Sequence, residues 1–255
     1  MNARDIARQL LDRNPPTQHA LFRLIEAGAL SRSAERAIGI EVFHVTAAFP
    51  RFLAALAARI ETHERRMPVV ANLLCEHGGS APHSAHVFSY RRFLFDLGIA
   101  PEAIDASRPG LCAVVYTRAL LDLCAQQALP EARAALAIVE DIVARVSPLL
   151  ANHARTRSAS VDAGAHFALH AELDQEHADE SYAETELDFA AAPEAVQRGF
   201  ELGLYYQMRL YSDLLDAQRS TNGLNQGTSG GETFAMLDAH SSSFRRLKSE
   251  VTCSK

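Results

Sequence analysis

Apolar residues recur every three or four positions along almost the whole chain, and no stretch alternates apolar with polar as a half-buried strand does. The pattern predicts an all-α protein whose helices are separated by clear breaks. A short amphipathic helix over 4–13 ends at Asn14-Pro15-Pro16, and Thr17 is placed to cap a second helix that stops at Gly28. Ser33 opens a long segment with Phe43, Phe49, Phe52, Leu53 and Leu56 on its core face, and Pro50 predicts a kink or restart within it. Helices follow over 67–76, with Pro68 near its start, and over 83–97, with Gly98 as the stop. A loop rich in Pro, Asp and Gly over 99–110 leads to a buried helix. Pro130 then starts a helix with Glu140 in its middle. The last helix, 194–219, has Phe200, Leu204, Leu210 and Leu214 as its core. Residues 220–233, STNGLNQGTSGGET, cannot build a core. The expected organisation is one helical domain over 1–219 and a polar tail over 220–255.

One stretch breaks the pattern. Residues 164–182 read GAHFALHAELDQEHADESY. At 100° per residue, His166, His170, Asp174 and His177 fall within about 80° of one helix face. A polar stripe is ordinarily a solvated face. Here, however, Glu172, Gln175, Glu176, Asp179 and Glu180 make the other faces still more polar, and only Phe167, Leu169 and Leu173 are apolar candidates for burial. A helix with so thin an apolar stripe needs another reason to join a fold. Two imidazoles and a carboxylate at i, i+4 and i+7 supply one, because that donor set suits iron or manganese, and also zinc.

Glu140 is the second anomaly. It lies about 40° from Leu136 and 60° from Val143, at or within an apolar helix face. A lone carboxylate there is costly unless it is paired or ligates a metal. In a metal-free protein its partner would be Arg118 or Arg145. Glu76 closes another apolar turn, and His83 and His86 follow it. Glu41 and His44, one turn apart, are second-rank candidates. Carboxylates and histidines converging from separate helices are how bundle di-iron sites are built, and Glu140 is the natural bridge.

Composition narrows the classes. The chain has 255 residues, 48% hydrophobic and 22% charged, as expected of a globular domain with a substantial core. A net charge of −6 gives no electrostatic case for nucleic acid or an anionic membrane. The two lysines are Lys248 and Lys255, which excludes Schiff-base chemistry in the body of the fold. Cys75, Cys112, Cys124 and Cys253 make no CxxC pair, and Cys112 and Cys124 read as small buried hydrophobes. Arg4, Asp5 and Arg8 interrupt any apolar leader, and no run of 18 apolar residues occurs. The expectation is a cytoplasmic protein without a membrane span.

The pattern Glu76-x9-His86, then Glu140, then His170-x3-Asp174-x2-His177, resembles that of the haem-oxygenase-like di-iron oxidases and oxygenases. The segment NLLCEHGGSAPHSAHVFSYRRFLFDLG resembles their Asn-Leu, Glu, Gly, His, Phe-Leu, Leu-Gly block, and HFALHAELDQEHADES their His, Asp, His helix. The resemblance covers roughly residues 40–217. It implies a single haem-free bundle of about seven helices and two Fe(II) ions reacting with O₂. Carried over residue by residue, it makes Glu76 and His86 ligands of one iron, Glu140 the bridge, and His170, Asp174 and His177 the remaining ligands. His83 competes with His86, because some relatives space this Glu and His by seven residues. The spacing to Phe93 and Leu97-Gly98 favours His86.

The self-sacrificing para-aminobenzoate synthases of this superfamily use an internal Tyr and Lys, whereas this chain has no Tyr before Tyr90 and no Lys before Lys248. A haem pocket would use His19, against which the carboxylate-rich pattern argues; a thiaminase-like site would use a Cys nucleophile, and nothing singles out Cys112 or Cys124 for that role. The leading expectation is therefore a di-iron oxygenase or oxidase of a small molecule in specialised metabolism, by N-oxygenation, oxidative C–C cleavage or desaturation, and a homodimer. An amine or amino acid is favoured over a fatty acid, with Arg91, Arg92 or Arg209 available to a carboxylate. The alternatives are a metal-free helical binding protein, a zinc or manganese hydrolase, and a fatty-acid oxidative decarboxylase of the same family.

Overall fold

The computed structural model describes residues 2–158, 160 and 162–221, and among them there are helices and no strand. The α-helices are α1 Ala3–Arg13, α2 Ala20–Glu26, α3 Arg32–Ala57, α4 His63–Glu76, α5 His86–Asp96, α6 Pro101–Ala106, α7 Leu111–Gln126, α8 Leu129–Arg157, α9 Ala165–Phe189 and α10 Pro193–Thr221. The described residues thus hold ten α-helices where the resemblance implied about seven. Two of the ten, α2 with 7 residues and α6 with 6, are short pieces. The tail expected over 220–255 lies almost wholly outside the described residues.

Helix α8 is the axis of the bundle. Its turns from Ala132 to Ile142 are buried on every side, and the small side chains of Ala132, Ala134, Ala135 and Ala137 let neighbours approach closely. Gly203 of α10 shows how closely. A Cβ there would stand 2.4 Å from the Ala135 carbonyl oxygen, so only glycine fits. Helix α9 packs along α8, while α3 packs on α4, α5 and α7. By length and composition α3 could cross a bilayer, contrary to the expectation of no such helix; here it lies against those three helices.

Several boundaries differ from the sequence reading. Pro50 sits inside an unbroken α3, whose packing partners hold the helix across the missing N–H. Ser31 rather than Ser33 caps α3, accepting from the Ala34 N–H at 3.2 Å. His19, not Thr17, caps α2 through Nδ1. Helix α4 begins at His63, so Pro68 is interior. The loop over 99–110 contains α6. Residues 82–84 form a 3-10 turn, and α5 starts at His86.

That last boundary positions the site. Gly78 turns the chain out of α4 with φ +82°, and a Cβ there would meet the Ala81 oxygen at 2.4 Å and the Ala85 nitrogen at 2.6 Å. The tight return brings the first residue of α5 back beside the last turn of α4. The predicted cores hold: Phe52, Leu53 and Leu56, and then Phe200, Leu204, Leu210 and Leu214, are buried, with Phe43 and Phe49 half-buried. Cys124 is buried as expected, whereas Cys112 is half-buried.

Candidate metal centre

The polar stripe of α9 faces inward. Its buried residues include His166, His170, Asp174 and His177, while Leu169 is exposed and Leu173 half-buried. The helix therefore sits in the fold by its histidines and its aspartate, with Phe167, Ala178 and Tyr182 supplying the apolar contact. Glu76, His86 and Glu140 are also buried, at 5%, 2% and 3% exposure. His83 is exposed. The structure thus buries all six expected ligands and, of the two competing histidines, buries His86.

Four of the six, Glu76, His86, His170 and Asp174, are joined by direct contacts. His86 Nδ1 lies 2.9 Å from Glu76 Oε1. His170 Nδ1 lies 3.1 and 3.0 Å from the two Asp174 oxygens. The His86 and His170 rings meet edge to face with centroids 4.3 Å apart. Glu140 Oε1 accepts from Asn72 Nδ2 at 2.5 Å, and Oε2 accepts from Ser181 Oγ at 3.2 Å. Arg145, proposed as a metal-free partner of Glu140, pairs with Asp141 instead. Glu76 and Asp174 turn toward imidazole nitrogens, and among the described residues no three His, Cys, Asp or Glu side chains form a ready-made metal cluster.

Electrostatics show what such a site lacks. Burial, reinforced by Asp174 and Glu76, pushes the Glu140 carboxyl up to about 8 against the opposing bonds from Asn72 and Ser181. Burial lowers the basicity of His166 well below the usual imidazole value, with His170 and His86 adding to the effect. Burial also lowers that of His177, against the pull of Asp174 and Glu76. For His170 burial is outweighed by the Asp174 hydrogen bond and charge, and its value rises. His170 Nε2 is buried with no hydrogen-bond partner. A partnerless imidazole nitrogen amid three carboxylates fits a cation bound by oxygen and nitrogen donors.

A cavity of about 190 Å³ opens onto this group. Glu76, Glu140, His166, His170 and Asp174 stand on its wall, and Val42, Phe49, Phe93, Val143 and Leu214 are among its many apolar lining residues. No arginine or lysine lines it among the described residues. His177 faces a separate pocket of about 20 Å³ that it shares with Asn72 and Ser181.

The second-rank candidates fall elsewhere. Glu41 accepts from the Ala113 N–H at 2.9 Å, and His44 meets Ser107 Oγ at 3.0 Å. Arg91, Arg92 and Arg209 are tied to Asp105, Asp96 and Asp213. His19 contacts Ser212 at 3.0 Å. Sequence reading missed the partners Asn72, Ser89 and Ser181. Asn72 had a signal, standing one turn before Glu76 on the same helix. It also left His166 out of the ligand set, although the residue shares the stripe.

A family model described as "Iron-containing redox enzyme" matches residues 36–208. A curated relative, the 4-aminobenzoate synthase of Chlamydia trachomatis serovar D, is 25% identical over 147 residues, which make up 58% of this chain and 62% of that protein. The chain thus spans about three fifths of that relative. Among solved structures, a CADD-like protein of unknown function from Nostoc punctiforme superposes with a TM-score of 0.70 at 14% identity, covering 84% of this chain and 96% of that one. A domain of unknown function with a heme oxygenase-like fold from Shewanella denitrificans gives 0.63 at 14% identity, covering 89% and 95%. The fold is therefore the all-α heme oxygenase-like one.

Proposed function

The chain belongs to the family of iron-containing redox enzymes, whose model matches more than half of it, and on that footing we propose that it is a non-haem di-iron oxidase or oxygenase acting on a small, largely apolar molecule. The observation that supports this reading is the buried His170 Nε2, partnerless beside Asp174, with Glu76 and Glu140 on the same cavity wall. Glu76, His86, Glu140, His170, Asp174 and His177 would hold two Fe(II) ions, with Glu140 as the bridge. Bound there, the metal would supply the electrons and the binding place for O₂.

The protein's own groups do the rest. Asn72 and Ser181 hold the Glu140 carboxylate in place, and Glu76 and Asp174 fix the His86 and His170 rings through their Nδ1 atoms. The apolar wall orients the substrate and keeps water from the reacting group. A cavity of about 190 Å³ exceeds the ~150 Å³ that holds a benzene ring, so one ring or a short chain fits. With no arginine or lysine among the described lining residues, a carboxylate substrate would find its counter-charge in the metal. An apolar amine is therefore favoured over an amino acid or a fatty acid.

The 4-aminobenzoate synthase relative and the cavity's size favour a second reading, formation of an aminobenzoate. The lysine-free body of the chain makes it the lesser one, although Tyr90 and Tyr116 stand on the cavity wall. O₂ consumption by the Fe(II)-loaded protein separates the two. Stimulation by added aralkyl or alkyl amines over many turnovers supports the amine oxidase reading. A single turnover without added substrate, yielding an aminobenzoate, overturns it.

A further inference from the structure

His166 enters neither the ligand set implied by the resemblance nor any contact with the other carboxylates. It is buried on the cavity wall, one turn before His170 on the same face of α9, and the two rings lie 4.3 Å apart. The His86 ring is also 4.3 Å from His170, so His170 has two imidazole neighbours.

The hydrogen bonds engage Nδ1 of each ring. Ser89 Oγ lies 2.9 Å from the His86 carbonyl oxygen and 2.7 Å from His166 Nδ1. A serine has one hydroxyl hydrogen, and the carbonyl can only accept, so the hydroxyl donates to the carbonyl. With the hydroxyl hydrogen on the carbonyl, His166 Nδ1 carries a hydrogen and donates to Ser89 Oγ. That leaves Nε2 of His166 as the nitrogen with a lone pair. The other two rings are held alike: His86 Nδ1 by Glu76, and His170 Nδ1 by Asp174. A ring whose Nδ1–H is engaged by a fixed acceptor and whose Nε2 is free is the usual state of a metal-bound histidine.

We infer that His166 is a seventh metal ligand, binding through Nε2 beside His170, with Ser89 as the positioning residue that fixes its tautomer. The assignment rests on the di-iron reading above. A further imidazole donor beside His170 and Asp174 favours a borderline divalent metal such as Fe(II), Mn(II) or Co(II) over Mg(II) or Ca(II). The competing role is packing, since the His166 ring lies 5.0 Å from both Tyr90 and Phe167.

The test is an anaerobic Co(II) titration of the chelator-treated full chain, read by visible d–d absorption. It compares wild type, His166→Ala and His166→Phe. Phenylalanine keeps the aromatic packing and removes the lone pair. The expected result is two Co(II) per wild-type chain. Both variants should weaken one of them roughly 100-fold and shift its bands, with added imidazole restoring the spectrum in His166→Ala alone. A His166→Phe protein that binds both ions with wild-type affinity and spectrum overturns the assignment and leaves the di-iron reading standing. A folded wild type that takes up no Co(II) overturns both.

Discussion

His170 donates from Nδ1 to both oxygens of Asp174, at 3.1 and 3.0 Å, and its Nε2 is left buried with no partner. One residue of the pair thus aims the other. Asp174→Asn keeps an acceptor in place and removes the charge. It should retain the fold and lower Fe(II) affinity by roughly 10- to 100-fold, as measured by competition with a chromophoric chelator.

The two histidines after Glu76 separate cleanly. His83 is exposed, whereas His86 is 2% exposed and 2.9 Å from Glu76. His83→Ala should bind iron as wild type does. His86→Ala should lose one iron per chain by elemental analysis, with far-UV circular dichroism unchanged. The reverse pattern would select the seven-residue spacing.

Glu140 makes the metal-free protein pH-sensitive. Burial chiefly pushes its carboxyl up to about 8, from an ordinary value of 4.5. Between those values the folded state holds a proton that the unfolded state has released. Stability therefore falls as pH rises through that window, by about 1.4 kcal/mol per pH unit at its steepest. Chelator-treated wild type should show a falling Tm from pH 5 to 8, on the order of several degrees, and Glu140→Gln should flatten it. Metal binding should flatten it as well.

The turn at Gly78 links backbone to site. Its φ of +82° and the 2.4 Å approach to the Ala81 oxygen exclude a side chain. Gly78→Ala should cost on the order of 1–3 kcal/mol in urea denaturation and weaken iron binding, since His86 loses its register with Glu76.

Much of this site was legible because a helix converts spacing into direction. His170, Asp174 and His177 could be placed on one face from their numbers alone, and Glu140 betrayed itself by its apolar neighbours. The inward direction of the α9 stripe followed from the still more polar opposite faces. What was not legible depends on contacts between distant segments. Asn72 meets Glu140 across 68 positions, and Ser89 meets His166 across 77. Local rules also failed where packing overrode them. Pro50 read as a kink or restart and Pro68 as a start, yet α3 runs on past the first without a restart and α4 begins five residues before the second. The short α6 was hidden in a segment with ordinary loop composition.

The buried carboxylate and histidine set is proposed to be an O₂-reactive di-iron centre. An anaerobic Fe(II) titration of wild type and Glu140→Ala, each then mixed with O₂ in a stopped-flow spectrometer, tests it most directly. The expected result is two irons per wild-type chain and a transient visible band on mixing, with fewer irons and no band in the folded variant. A folded wild type that binds no iron, or two irons that are inert to O₂, would contradict it.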